Sequence, residues 1–189
     1  TFVGGVPVII TRLSFSGELG YEIYCRPQYL LRLSEAIEEA GKYLNYGWYG
    51  ARALLSMRLE KSWGVWGLEL RPDFNVVESG LNNFIDWNKD FIGKEATLKI
   101  LREGPKRKLI TLTIQECNID VSNDEAILKN GETIGYVTSG GYAHHVKRSM
   151  AMGYVRAEHA TKGNMVKIEI LGTFFDARII GHPMYDAEG

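Results

Sequence analysis

The sequence predicts an α+β fold: a layer of antiparallel strands and helices, followed by a small C-terminal β-barrel. Three observations predict it. Two strand-like runs, residues 6–12 and 21–25, flank a glycine-bearing turn and form a hairpin. Two stretches with apolar residues at helical spacing come next. After Gly104-Pro105 the pattern changes to short alternating strands joined by turn pairs, so the chain divides into residues 1–104 and 105–189.

Taken in order, residues 6–12 are rich in β-branched side chains, and Ser14-Phe15-Ser16-Gly17-Glu18-Leu19-Gly20 is turn chemistry with two glycines able to take positive φ. Strand alternation in the return run puts Tyr21, Ile23 and Cys25 on one face, Glu22 and Tyr24 on the other. The chain opens at Thr1, with no initiating Met, directly into strand-like sequence, which predicts a piece of something longer. Pro27 suits a first helical turn. Leu30, Leu33, Ile37 and Ala40 then recur at helical spacing and Gly41 is a natural stop. A second helix is predicted over residues 50–60, with Ala51, Leu54, Leu55 and Leu59 on its apolar face. Residues 61–88 hold Trp63, Trp66 and Trp87 with little periodicity, and read as a long ordered loop with short strands. Asp90 is placed to cap a third helix over residues 93–101.

In the second half six strands are predicted: residues 106–115, 126–128, 133–138, 149–155, 165–171 and 173–180. The Asn130-Gly131 and Leu171-Gly172 pairs are hairpin signals. Ser139-Gly140-Gly141 reads as a turn between strands, and His144-His145 as neighbours pointing apart on a strand.

Composition narrows the function classes. With 189 residues, 45% hydrophobic and 24% charged, at a formal net charge of −1, the chain has globular composition and offers no general attraction for nucleic acid or an anionic membrane. No apolar run approaches the roughly 20 residues that span a bilayer. Two cysteines, Cys25 and Cys117, form neither a disulfide framework nor a metal-ligand spacing, and fit a reducing compartment. The adjacent His144-His145 cannot easily share a metal, and His159 and His182 stand alone, so no metal is expected.

Several motifs together carry a resemblance. Ser14-Phe15-Ser16-Gly17-Glu18-Leu19-Gly20-Tyr21-Glu22-Ile23 is followed in order by Gly50-Ala51-Arg52, Arg58-Leu59-Glu60-Lys61, Trp66-Gly67-Leu68-Glu69-Leu70 and Glu78-Ser79-Gly80-Leu81. Asp90-Phe91-Ile92-Gly93-Lys94-Glu95-Ala96, Ile134-Gly135-Tyr136-Val137-Thr138-Ser139-Gly140 and Ala151-Met152-Gly153-Tyr154-Val155 complete the series. This ordered series resembles the carboxyl-terminal half of the glycine cleavage T-protein (aminomethyltransferase) family. Glu60-Lys61 followed by Trp66-Gly67 looks more like the folate-binding tails of dimethylglycine and sarcosine dehydrogenases. The stretch 89–95 lacks the cysteine of the family's iron–sulfur assembly branch.

The resemblance implies tetrahydrofolate-dependent one-carbon transfer, with residues 1–104 as the later part of the folate-binding domain. It implies partners too: an amine or aminomethyl donor, and an upstream half that holds the catalytic aspartate. No residue here aligns with that aspartate, so none is assigned a catalytic role. A flavin is expected only if a separate upstream domain exists, and the expected location is cytoplasmic, or the mitochondrial matrix in a eukaryote. Glu22 aligns with the family's pteridine-binding glutamate, a carboxylate able to accept two adjacent N–H donors. It is expected to face the cavity while Tyr21 and Ile23 face the core. Phe15 aligns with a cavity tyrosine, keeping the ring without the hydroxyl. Arg52 aligns with the family's cavity arginine, to hold folate or orient acidic groups. Trp66 and Tyr24 offer flat rings to a planar pteridine, with core packing as the alternative. The rival reading is a non-catalytic assembly module in which Glu22 and Arg52 pair with each other. A second rival is a folate-dependent demethylase acting on another methyl donor.

Overall fold

The computed structural model describes residues 1–115 and 120–188; Cys117 lies outside them. The chain forms two compact units, Thr1–Met57 and Arg58–Gly189. This division by compactness falls inside the second helix, well before the composition change near residue 104.

In the first unit the strand-like run 6–12 is split at Val8. Its first part, β2 (Val6–Pro7), pairs back onto β1 (Phe2–Val3), and its second, β3 (Ile9–Thr11), pairs forward onto β4 (Glu22–Tyr24). The opening run therefore has a preceding partner. The register of the second hairpin is Ile9↔Tyr24, Ile10↔Ile23 and Thr11↔Glu22. Of the two turn glycines only Gly17 takes a left-handed φ, 89°. Gly20 is required for space instead: a Cβ there would lie 2.8 Å from the Leu13 carbonyl oxygen.

A 3-10 turn at Pro27–Tyr29 leads into α1 (Leu30–Gly41). Its buried stripe is rotated from the expected one. Leu33 packs with Val6 and Val8, and Ile23, Cys25, Tyr29 and Ile37 flank them, while Leu30 and Ala40 face outward. The stripe Tyr29–Leu33–Ile37 follows i, i+4, i+8, which suits one narrow contact with a small sheet. Tyr21, expected in this core, is exposed because strand pairing begins only at Glu22.

The helix α2 (Ala51–Glu60) buries only its last turn, Arg58, Leu59 and Glu60. Ala51 and Leu55 of the expected apolar face are exposed. In the second unit α3 (Lys94–Glu103) starts after Gly93 at φ 90°, with no side-chain cap, so Asp90 does not perform that role. Six strands then close a barrel: β5 (Arg107–Ile114), β6 (Ala126–Lys129), β7 (Glu132–Ala143), β8 (Arg148–Arg156), β9 (Met165–Ile170) and β10 (Thr173–Ile180). The order around it is β10-β5-β8-β7-β6-β9, antiparallel throughout. Both predicted hairpin pairs, Asn130-Gly131 and Leu171-Gly172, take the left-handed φ that a two-residue type I′ turn needs.

Strand β7 is twice as long as its apolar pattern suggests. It runs through Ser139-Gly140-Gly141, pairing with Met152, Ala151 and Met150, so that tripeptide is strand, not turn. Glycine suits this stretch because a Cβ on Gly140 would meet Val121 at 2.6 Å. The turn comes later, and His144 and His145 sit in it.

The segment after α2 is fastened to the barrel by polar side chains. Glu69 is fully buried, and its carboxylate accepts from Arg58 Nη1 at 3.1 Å, the Val65 N–H at 2.9 Å, Thr138 Oγ1 at 2.6 Å and Ser139 Oγ. Four donors match the acceptor capacity of an ionised carboxylate. Tyr154 donates to the Glu69 carbonyl at 2.9 Å, meets Ser79 Oγ at 2.8 Å and stacks on Phe74. Burial pushes the Tyr154 hydroxyl up to about 12. Burial lowers the Arg58 pKa, opposed by the charge of Glu69. A second fastener is the buried Glu60, which accepts from the His145 N–H at 2.7 Å and pairs with its Nδ1 at 2.8 Å.

Removing one partner of a buried ion pair leaves the other charge uncompensated, at about 3–5 kcal/mol. Glu69→Ala is accordingly expected to lower unfolding free energy by about that amount in urea titration. The double change Arg58→Met with Glu69→Leu is expected to lower it by much less than the sum of the two single changes.

Candidate functional site

The hairpin β3–β4 has two unlike faces, as its alternation requires. Ile23 turns to the small core, and Glu22 and Tyr24 occupy the other, exposed face. On that face the register places Ile9 beside Tyr24 and Thr11 beside Glu22. A branched aliphatic side chain, an aromatic ring, a hydroxyl and a carboxylate thus form a two-by-two patch. Ile9 is 70% exposed and Tyr24 53%, so the apolar half of the patch has no cover within this unit.

Tyr24 donates its hydroxyl proton to Glu22 Oε2. Residues two apart on a strand share a face, which makes this bond possible. The bond raises the Tyr24 pKa, with smaller contributions in the same direction from desolvation and the carboxylate charge. One phenol uses one of about four acceptor positions on the carboxylate. About three acceptor positions of the carboxylate remain beyond that bond.

Phe15 lies half-buried in the turn that joins the two strands. Arg52 is exposed in the first turn of α2 and forms no ion pair with Glu22, whose described partner is Tyr24. Glu78 is engaged by Arg107 at 3.7 Å and accepts from the Asn75 N–H at 3.3 Å. Trp66 belongs to the second unit, where it is 85% exposed and forms an isolated bridge with Leu70. Core packing therefore does not account for Tyr24 or Trp66.

Arg58, Glu60, Glu69 and Glu78 stand inside the motifs that carry the family resemblance. The structure buries all four. A charged residue embedded in an apolar motif, as in Arg58-Leu59-Glu60 or Leu68-Glu69-Leu70, is the signal that was present for this. Among the described residues no group of three His, Cys, Asp or Glu side chains is placed to hold a metal, and no helix is long and apolar enough to cross a membrane.

Residues 1–89 match the GCVT N-terminal domain, and residues 107–186 match the glycine cleavage T-protein C-terminal barrel domain. Over 184 residues the chain is 39% identical to human mitochondrial dimethylglycine dehydrogenase, covering 96% of this chain and 21% of that one. It is 33% identical to an aminomethyltransferase of Geobacillus sp. (strain WCH70), covering 97% of this chain and 50% of the relative. The crystal structure of the glycine cleavage system aminomethyltransferase T from Bartonella henselae superposes with a TM-score of 0.85 at 28% identity, covering 94% of this chain and 50% of that one. The chain thus spans about half the length of these aminomethyltransferases and about a fifth of the dehydrogenase.

The Glu22–Tyr24 bond makes a spectroscopic prediction. A raised phenol pKa means the hydroxyl form is favoured in the folded state, so this contribution is present below the ordinary tyrosine range and is lost as pH rises through the folded value. In ultraviolet titration of phenolate absorbance, Glu22→Gln is expected to bring one tyrosine back toward its ordinary pKa, and Tyr24→Phe to delete that same transition.

Proposed function

The chain belongs to the glycine cleavage T-protein family, and from that premise we propose that it is the carboxyl-terminal portion of a tetrahydrofolate-dependent one-carbon transfer enzyme. The parent is aminomethyltransferase-like or dimethylglycine dehydrogenase-like. Residues 1–104 contribute the later part of its folate-binding domain and residues 105–189 its barrel. The observation that supports this most is the carboxylate of Glu22, held by Tyr24 on an uncovered, partly apolar face at the position where the family motif places a pteridine-binding glutamate.

The donor set suits the group. A pterin ring is flat and presents an amino group and a ring N–H side by side. Glu22 would accept both in a charge-assisted pair, and Ile9 and Tyr24 would lie against the ring edge or face. Arg52 would hold an acidic part of the folate, or orient acidic groups from the upstream half. Phe15 keeps an aromatic ring in the turn but brings no hydroxyl, so it adds contact area without a hydrogen bond. Trp66 offers a further exposed ring. When bound, tetrahydrofolate supplies the nitrogen nucleophile that captures a one-carbon unit from an amine-bound methylene.

This half contributes binding and orientation. Holding two reactants in place removes much of the entropy cost of a bimolecular step, up to roughly 7–11 kcal/mol in well-aligned cases. The acid–base residue that acts on the folate nitrogen or the cationic intermediate belongs to the upstream half. Such a parent works in the cytosol or the mitochondrial matrix, and a flavin enters only through a further upstream domain. The 39% identity to a dimethylglycine dehydrogenase favours the dehydrogenase-like parent over the simple transferase.

In the complete parent, Glu22→Ala is expected to weaken tetrahydrofolate binding more than about tenfold by calorimetry, the scale of losing a charge-assisted pair. The thermal midpoint should stay unchanged, because the side chain faces outward. Unaltered affinity in that variant removes Glu22 from the site and favours the assembly-module reading.

A further inference from the structure

On the outer wall of the barrel, remote in sequence from the hairpin face, lies a cleft of about 450 Å³ lined by β6, β9 and β10 and the Asn130-Gly131 turn. Its origin is in the pairing. Strands β6 and β9 pair at only two positions, Ile127↔Ile168 and Leu128↔Lys167, the shortest seam of the barrel. Beyond Lys167 the start of β9 and the end of β6 no longer pair, and the opening between them is the cleft. Ile127 and Ile168 are fully buried inside, so alternation puts Leu128, Lys167 and, across the next pairing, Asp176 side by side on the outside.

The outside of a closed barrel in water is normally polar, whereas this wall carries an apolar patch between its charges. Met165 is 40% exposed and Phe174 52%, and with the half-buried Leu128 they make an apolar floor. The charges at the rim are unequal. Lys167 is neutralised by Asp176 at 3.2 Å. Lys129 also lines the cleft, is half-buried, and forms no ion pair with any described residue. One ammonium group is therefore left beside an apolar floor.

We propose that this cleft is a binding site for a small organic anion, a carboxylate carried on an aromatic or branched apolar body. Lys129 receives the carboxylate, and Phe174, Met165 and Leu128 receive the body, with the Met165 sulfur available to an aromatic ring. Size selects a small molecule over a protein partner. The volume falls within the 300–1,000 Å³ typical of ligand clefts. The apolar floor of three side chains is far short of the roughly 1,000 Å² that a specific protein interface buries.

The test uses the full chain labelled with carbon-13 at the methionine methyl groups, titrated with 3-phenylpropionate and with its uncharged amide. The expected result is a saturable shift of the Met165 signal while the buried Met150 and Met152 signals stay fixed. The carboxylate should bind about threefold to fivefold more tightly than the amide, the scale of one solvent-accessible ion pair. Lys129→Met should remove that preference without changing amide affinity, and Phe174→Ser should weaken both probes. Fixed Met150 and Met152 signals in each variant certify that the barrel is intact. No saturable Met165 shift, equal affinity for the two probes, or an undiminished preference in Lys129→Met would overturn the proposal. None of these outcomes bears on folate binding at Glu22.

Discussion

The second unit depends on one buried carboxylate. Glu69 comes from a segment with almost no regular secondary structure, yet it reaches Arg58 at the end of α2, the Val65 backbone, and Thr138 and Ser139 on β7. A loop in that position carries backbone polar groups that must be satisfied if it is to lie against an apolar barrel. Glu69 supplies acceptors where the loop and the barrel supply donors, and Tyr154 closes the set by donating to its carbonyl. In a low-dielectric interior each such bond is stronger than in water. The four donors to the Glu69 carboxylate tie the loop to one place on the barrel.

That constraint explains why the family motifs read as they do. Arg58, Glu60, Glu69 and Glu78 are all buried and all engaged by partners that are distant in sequence or in different elements. The motif glycines act in the same way. Gly135 and Gly153, on facing strands, leave no room for a Cβ, which would lie 1.9 and 2.4 Å from carbonyl oxygens across the ladder. These residues fix the scaffold through burial and close backbone approach.

The first unit is organised differently. Its core is small, centred on Val6, Val8 and Leu33, and many of its large apolar side chains, among them Ile9, Leu31, Tyr43 and Trp48, are exposed. Two two-stranded sheets and the helix α1 have material to cover only one face of the β3–β4 hairpin. The uncovered face carries Glu22 and Tyr24. The chain spans about half of the aminomethyltransferases it matches. The hairpin face bears a carboxylate, and the barrel-wall cleft bears an ammonium group that forms no ion pair with any described residue.

By itself the sequence determined the local events. Strand alternation was enough to set Glu22 and Tyr24 on one face and Ile23 on the other, since side-chain direction has a period of two whatever the surroundings. The Asn130-Gly131 and Leu171-Gly172 pairs located their hairpins, because few residues accept two successive positive φ values. Six strands after Pro105 were legible from alternation and turn spacing. Tertiary structure alone decided which helix stripe was buried, because Leu30 and Leu33 are equally apolar and only the width of the sheet beneath them chooses. It decided that β7 runs on through Ser139-Gly140-Gly141, where pairing with β8 overrides turn propensity. It also decided that Arg58 and Glu69 are interior, since burial of a charge depends on partners far along the chain, and periodicity carries no information about those.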